Sequence, residues 1–177
     1  MITQHGMRFH QYADDCQTYI STQVSDEALV VHRLTACVRT INDWMSASRL
    51  KLNLSKTEFL WLGSSQQLSQ ITITDIPFQS TMIRLRESAR DNGVIIETKL
   101  LLSAHVEALC RAGFYHLCQL RPVMRSLTHE AAKILVHTFI SSLLDYCNSL
   151  LYGVSNSLIR KVQSVQNAAA RLLTGTR

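Results

Sequence analysis

From residue 98 onward the apolar side chains of this chain recur at spacings of three and four in successive runs, a period that leaves little room for any fold but packed helices. Residues 101–120 are rich in Ala, Leu and Cys and stop at Arg121-Pro122, where proline opens a new segment. Thr128 ahead of His129, Glu130 and Ala131 supplies a helix start. The face Ala132, Leu135, Phe139, Leu143, Tyr146 and Leu150 predicts that this helix persists to Gly153. Ser155 or Ser157 caps a last helix with Leu158, Val162, Val165, Ala169 and Leu172 on one side, ended by Gly175.

The first half is patterned differently. Residues 7–12 alternate, Ala13-Asp14-Asp15 brings turn chemistry, and residues 16–21 alternate again, which predicts a β-hairpin with two aspartates at its tip. Ser25 before Asp26 and Glu27 reads as an N-cap with acids at the positive end of a helix dipole. The stripe Val30, Leu34, Cys37, Ile41 and Trp44 carries that helix toward Ser48. A turn at 50–56 leads to a short apolar segment, 57–62, and a polar loop. Two further strand pairs are expected, 70–74 with 78–83 around Pro77, and 83–87 with 94–97 around Asp91-Asn92-Gly93. Trp44 and Trp61 read as core residues. The fold class is therefore α+β, a mixed segment followed by an all-helical one.

Charge divides the chain at the same place. The sequence has 177 residues, 46% hydrophobic, and a formal net charge of +5, enough apolar content to bury a core and enough basic excess to favour an acidic partner. Residues 1–97 carry nine basic against ten acidic side chains, whereas residues 98–177 carry nine against three. The positive field belongs to the second segment. Five cysteines at 16, 37, 110, 118 and 147 leave one unpaired and show no C-x-x-C spacing, so neither a disulfide framework, a disulfide-linked partner nor a structural zinc is expected. No signal-peptide pattern or membrane-length apolar run is present, which predicts a soluble protein of a reducing compartment with no membrane partner. Nucleus and cytoplasm both remain open, because there is no dense Lys/Arg cluster.

Adjacent aspartates at a hairpin tip repel at ~4–6 Å unless a cation holds them, although Asp also suits turns for its local hydrogen bonding. Their context is more specific. Phe9-His10-Gln11-Tyr12-Ala13-Asp14-Asp15-Cys16-Gln17-Thr18-Tyr19-Ile20 resembles the FHQYADDTQLYIS segment of reverse transcriptases from LINE-type, non-LTR retrotransposons, where it forms palm motif C. Later segments follow the family's order: Leu50-Lys51-Leu52-Asn53 with Lys56-Thr57-Glu58, then Gly93-Val94-Ile95-Ile96. They continue with Leu144-Asp145-Tyr146-Cys147-Asn148-Ser149-Leu150-Leu151-Tyr152-Gly153 and Val165-Gln166-Asn167-Ala168-Ala169-Ala170-Arg171-Leu172. The likeness covers almost the whole chain and is strongest to the Jockey-like branch.

The resemblance implies a partial polymerase palm over residues 1–97, β-hairpins plus a helix, and a thumb-like helical region over 98–177. It implies RNA-directed DNA polymerisation with Mg²⁺ as cofactor and an RNA template and DNA primer as partners. Asp14 would be the principal metal ligand and Asp15 its neighbour, Tyr12 would lie beside the primer terminus, and Lys56 would stabilise the leaving pyrophosphate. Arg111, Arg121 and Arg125 would meet duplex phosphates. The family also uses a motif A aspartate and a glycine-rich motif B upstream of motif C, and residues 1–13 contain no acidic side chain. The expectation is thus a C-terminal portion of a polymerase that does not extend primers by itself. Two other readings stand beside it, a non-catalytic basic module that grips duplex nucleic acid and a nonfunctional retroelement remnant. His5, His10 and the pair His116-x-Cys118 lack the partners or the spacing for a metal site.

Overall fold

The computed structural model describes residues 2–13, 15–78 and 81–176, and these form an α+β arrangement of three antiparallel hairpins and six α-helical segments. Contacts divide it into two compact units, residues 1–89 and 90–177. The boundary falls eight residues before the change in charge, inside a β-strand.

In the first unit, β1 (Arg8–Tyr12) pairs with β2 (Asp15–Tyr19) in a register that sets Arg8 opposite Tyr19 and Tyr12 opposite Asp15. Helix α1 (Glu27–Ala47) follows a short 3₁₀ turn at Val24–Asp26. The expected cap at Ser25 does not form. Its hydroxyl donates to Asp26 Oδ1 instead, and the Glu27 carboxylate accepts from the Thr72 hydroxyl at 2.6 Å and the Thr72 backbone N–H at 3.1 Å. These two hydrogen bonds hold the Glu27 carboxyl below its ordinary pKa. A one-turn helix, α2 (Ser65–Leu68), begins with a capping box in which Ser64 and Gln67 exchange side-chain-to-backbone bonds.

Strand β3 (Asp75–Phe78) pairs with β4 (Thr81–Arg84), several residues later than the alternation suggested for the first of this pair. Pro77 sits inside β3, which is allowed because each sheet has only two strands and so leaves one edge of β3 unpaired. Segment 57–62 is irregular. It is anchored by Phe59, whose carbonyl accepts from Arg86 N–H, and Phe59 packs at the edge of a small cluster of Val38, Phe78 and Ile83. Trp44 is an exception to the sequence reading, since it is 53% exposed on the outer side of the last turns of α1. Trp61 is half-buried, and its indole N–H is enclosed with no acceptor among the described residues.

Strand β5 (Ser88–Asp91) turns into β6 (Val94–Glu97) through Asn92 and Gly93, at φ +44° and +84°. Positive φ at both central residues is what a two-residue hairpin loop of matching twist requires, and Asn-Gly is the pair that adopts it most readily. The hairpin therefore starts five residues later than alternation suggested.

The second unit continues with α3 (Ser103–Leu120). The N-cap position of α3 is held by Leu102, which has a left-handed backbone and no side-chain acceptor; Glu97 replaces the cap by accepting from the Ser103 hydroxyl and the Ala104 N–H. Helix α4 (His129–Val136) has the expected Thr128 cap. The expected single helix to Gly153 is broken. Residues His137–Ser141 form a π-helical turn, α5 (Ser142–Asp145) adds one turn, and Cys147 with φ +54° ends the run before a 3₁₀ turn at Asn148–Leu151. The Thr138 hydroxyl donates to the Ile134 carbonyl and the Ser142 hydroxyl to the Thr138 carbonyl, so side chains compete for the backbone acceptors along the widened stretch.

The widened turn changes which face is buried. Ala132, Val136, Ile140 and Leu144 point inward at steps of four, and a π turn, which takes more residues than 3.6, keeps such steps in line. Phe139 and Tyr146, expected in the core, are 42% and 53% exposed. Helix α6 (Asn156–Thr174) starts after Ser155 and ends at Gly175 with φ +69°, as the sequence predicts, but the expected side-chain cap does not form, the Ser155 hydroxyl lying 2.9 Å from that of Ser157 instead. Its Leu158, Val165 and Ala169 meet Val106, Cys110, Leu117 and Ile140 in the main core of the molecule.

Candidate nucleic-acid interface

The two-stranded hairpin presents Tyr12 and Asp15 side by side. They occupy directly opposed positions at the end of the ladder, so their side chains share one face of the ribbon. Two residues remain for the connection, Ala13, with a left-handed φ of +53°, and Asp14, which lies outside the described residues. The Gln11 side-chain amide donates to the Ala13 carbonyl at 3.2 Å and braces the turn. All five residues of β1 are exposed, with Tyr12 at 70%. A ribbon with so little burial holds its shape through its ladder and its base, where Met7 is buried and His5 Nε2 lies 3.0 Å from the Thr40 hydroxyl on α1. At Cys16, which follows Asp15, partial burial of the thiol raises its pKa, so the thiol stays protonated near neutrality.

Lys56 occupies a different loop of the same unit. Asn53 organises that loop, its Oδ1 accepting from the Ser55 N–H and hydroxyl and its carbonyl from the Lys56 N–H and the Thr57 hydroxyl. Lys56 is exposed and belongs to none of the ion pairs among the described residues, which are Arg86–Glu58, Lys133–Glu130 and Lys161–Glu107.

In the second unit Arg111 is exposed on α3, Arg121 stands at its C-terminal cap, and Arg125 lies in the 3₁₀ turn Met124–Ser126. Arg121 thus sits at the negative end of the α3 dipole, where a cation is favoured. The unit as a whole holds ten Lys and Arg against five Asp and Glu, while the first unit is balanced at eight and eight. The entire net charge of the chain therefore belongs to residues 90–177.

Mg²⁺ fits poorly. Among the described residues no three His, Cys, Asp or Glu side chains gather where they could hold a cation, and Asp15 is the one described carboxylate of the hairpin tip. Two divalent ions need shared carboxylates, so the described residues do not make a two-cation centre.

No protein-family model, curated protein or solved structure matches this chain. No helix among the described residues is long and apolar enough to cross a membrane. One feature of the second unit escaped sequence reasoning, a row of rings in which the half-buried His116 lies between the exposed Tyr115 and Phe139. Its sequence signal was Phe114-Tyr115 standing off the buried stripe Val106, Cys110, Gly113 and Leu117, four residues after an arginine.

Proposed function

We propose that these residues are a nucleic-acid-binding palm-and-thumb segment of a LINE-type reverse transcriptase, which grips a template–primer duplex and does not extend primers by itself. The observation that carries this reading is the antiparallel register that sets Tyr12 opposite Asp15 within a Tyr-Ala-Asp-Asp sequence. The confinement of the net positive charge to the helical unit supports it, because duplex binding is dominated by cations placed against phosphates. In this reading the hairpin reaches the primer terminus with Tyr12, Asp14 and Asp15, Lys56 lies toward the leaving pyrophosphate, and Arg111, Arg121 and Arg125 track the backbone. Extension is not expected of the chain alone because residues 1–13 hold no acidic side chain for the motif A position that the resemblance implies.

Fluorescence anisotropy with a labelled RNA–DNA hybrid tests the reading. Binding should weaken steeply as salt is raised, with a slope in log K against log salt of about −0.9 for each phosphate neutralised. Arg111→Ala, Arg121→Ala and Arg125→Ala should each flatten that slope by about one. Salt-insensitive binding, or three variants indistinguishable from the parent, overturns the grip. Template-dependent primer extension lost in Asp14→Ala would overturn the expectation that the chain is inactive alone. A second reading, a basic module unrelated to polymerisation, is favoured by the same charge distribution and is distinguished by showing no preference for the hybrid over double-stranded DNA.

A further inference from the structure

The outer face of α3 carries rings where a solvated helix carries polar groups. Tyr115 is 62% exposed, Phe114 43%, and Phe139, on the widened turn after α4, 42%. Three of the rings are in contact. Tyr115 meets His116 edge-on, with centroids 5.7 Å apart at 68°, and His116 lies against Phe139 at 5.5 Å and 33°. His116 is the half-buried middle of the row, and it fixes two accessible rings at either end.

The charges around the row have one sign left over. Arg111 precedes Tyr115 by one helical turn, about 6 Å along the axis, and is exposed and outside every ion pair among the described residues. Glu107, an acid on the same face of α3, is paired with Lys161 at 2.9 Å and also feels the charge of Arg111, so two cations stand against one carboxylate there. An apolar peptide surface gains nothing from such a field, and a duplex hides its bases from rings. Unpaired bases stack on tyrosine and phenylalanine whatever their identity, while their phosphates seek a cation one step away.

We propose that this face of the helical unit binds single-stranded nucleic acid, with bases stacked on Tyr115 and Phe139 and a phosphate held by Arg111. The inference rests on the nucleic-acid reading of the same unit and names the form of strand that this face takes.

The test compares two ligands on the full chain at low salt: a fluorescein-labelled oligouridylate of about 12 nucleotides, within the usual span of such sites, and the RNA–DNA hybrid. Tyr115→Ala should weaken oligouridylate binding about tenfold, the usual cost of one lost stacking platform, and leave the hybrid's affinity unchanged. Tyr115→Phe should retain binding, since the ring and not the hydroxyl stacks. Phe139→Leu, which keeps apolar bulk, should reproduce the loss, and Ile134→Ala, an exposed apolar residue of α4 outside the row, should change neither ligand. Equal losses on both ligands, or none on oligouridylate, overturn the proposal. If the hybrid still binds with its salt slope in that case, only the stacking inference falls; if the parent chain binds neither ligand, the nucleic-acid reading falls with it. Self-association in sedimentation that disappears in Tyr115→Ala would assign the face to a second copy of the chain and also overturn it.

Discussion

His105 shows how one buried side chain ties the last hairpin to the helices. It lies in the first turn of α3, is 5% exposed, and its Nδ1 accepts the Ile95 backbone N–H at 3.4 Å, so the ring is neutral with its proton on Nε2. Burial, and then the positive charge of Arg90 on β5, lowers its pKa from the ordinary value of 6.5. A lowered histidine pKa means that the unfolded chain takes up the proton first. Stability contributed by the neutral ring is complete above the ordinary value and is lost as pH falls from there through the lowered folded value. The carboxylates held low by partners, Glu107 by Lys161 and Glu130 by Lys133, lose their contribution only below the ordinary value of 4.5. The two windows separate. The urea midpoint should therefore fall between about pH 7.5 and about pH 5, before the carboxylates titrate. In His105→Gln that difference should shrink, and a variant with the parent's pH dependence would assign the effect elsewhere.

At the scale of elements, the α3–α6 contact is set by a residue with no side chain. A Cβ built on Gly113 would stand 2.6 Å from Val165 Cγ1, closer than real Cβ atoms approach, and Val165 is itself fully buried in the main core. Gly113→Ala forces the helices apart or Val165 off its rotamer, at a cost of about 1–3 kcal/mol. Chemical denaturation should read that loss, and Val165→Ala in the same chain should recover part of it, because the two positions share one space. Additive losses would mean that the clash is relieved without moving α6. Gly93 is used differently, supplying a left-handed turn with the Tyr146 ring 3.4 Å from its missing Cβ and the Tyr146 hydroxyl donating to the Asn92 carbonyl at 2.6 Å.

The helices α1, α3 and α6 were legible because each is a run with one apolar stripe and its own stop, such as Gly175 after α6. The path from α4 to Tyr152 was not, since a π turn leaves no mark in a 3.6-residue pattern and the left-handed Cys147 has no residue signal of its own. Strand positions slipped because four-residue strands alternate too briefly to fix a register, and Asn92-Gly93 held the correct turn in plain sight. The hairpin of the candidate site was legible from alternation around Ala13-Asp14-Asp15. The ring row was not, because Phe139 satisfied a stripe that the widened turn rotates outward.

The two units differ in what holds them. Residues 90–177 enclose a continuous apolar core built from α3, α4, α6 and the turns between them, with Val106, Ile140 and Val165 fully buried. Among the described residues the buried cluster of the first unit is the small group Val38, Phe78 and Ile83, and its two sheets have two strands each. Such ribbons are marginal in water unless something packs on them, and stability rises with buried apolar area. Charge follows the same division, the helical unit holding the whole net excess. The continuous core predicts independent folding of the second unit, and the division of charge predicts that the proposed phosphate binding resides there. A fragment of residues 88–177, which keeps β5 intact, should therefore show a cooperative urea transition by far-ultraviolet circular dichroism. It should also bind the RNA–DNA hybrid with the same salt slope as the full chain, because the slope counts phosphates neutralised and the cations that do so are retained. Residues 1–87 should bind weakly, with a shallow slope, because their eight basic side chains are balanced by eight acidic ones. A fragment 88–177 that melts without cooperativity would show that its core needs the first unit to close. A cooperative fragment with a flattened slope would move part of the grip to the basic side chains of the first unit, Lys51 and Lys56 beside the Asn53 turn foremost among them.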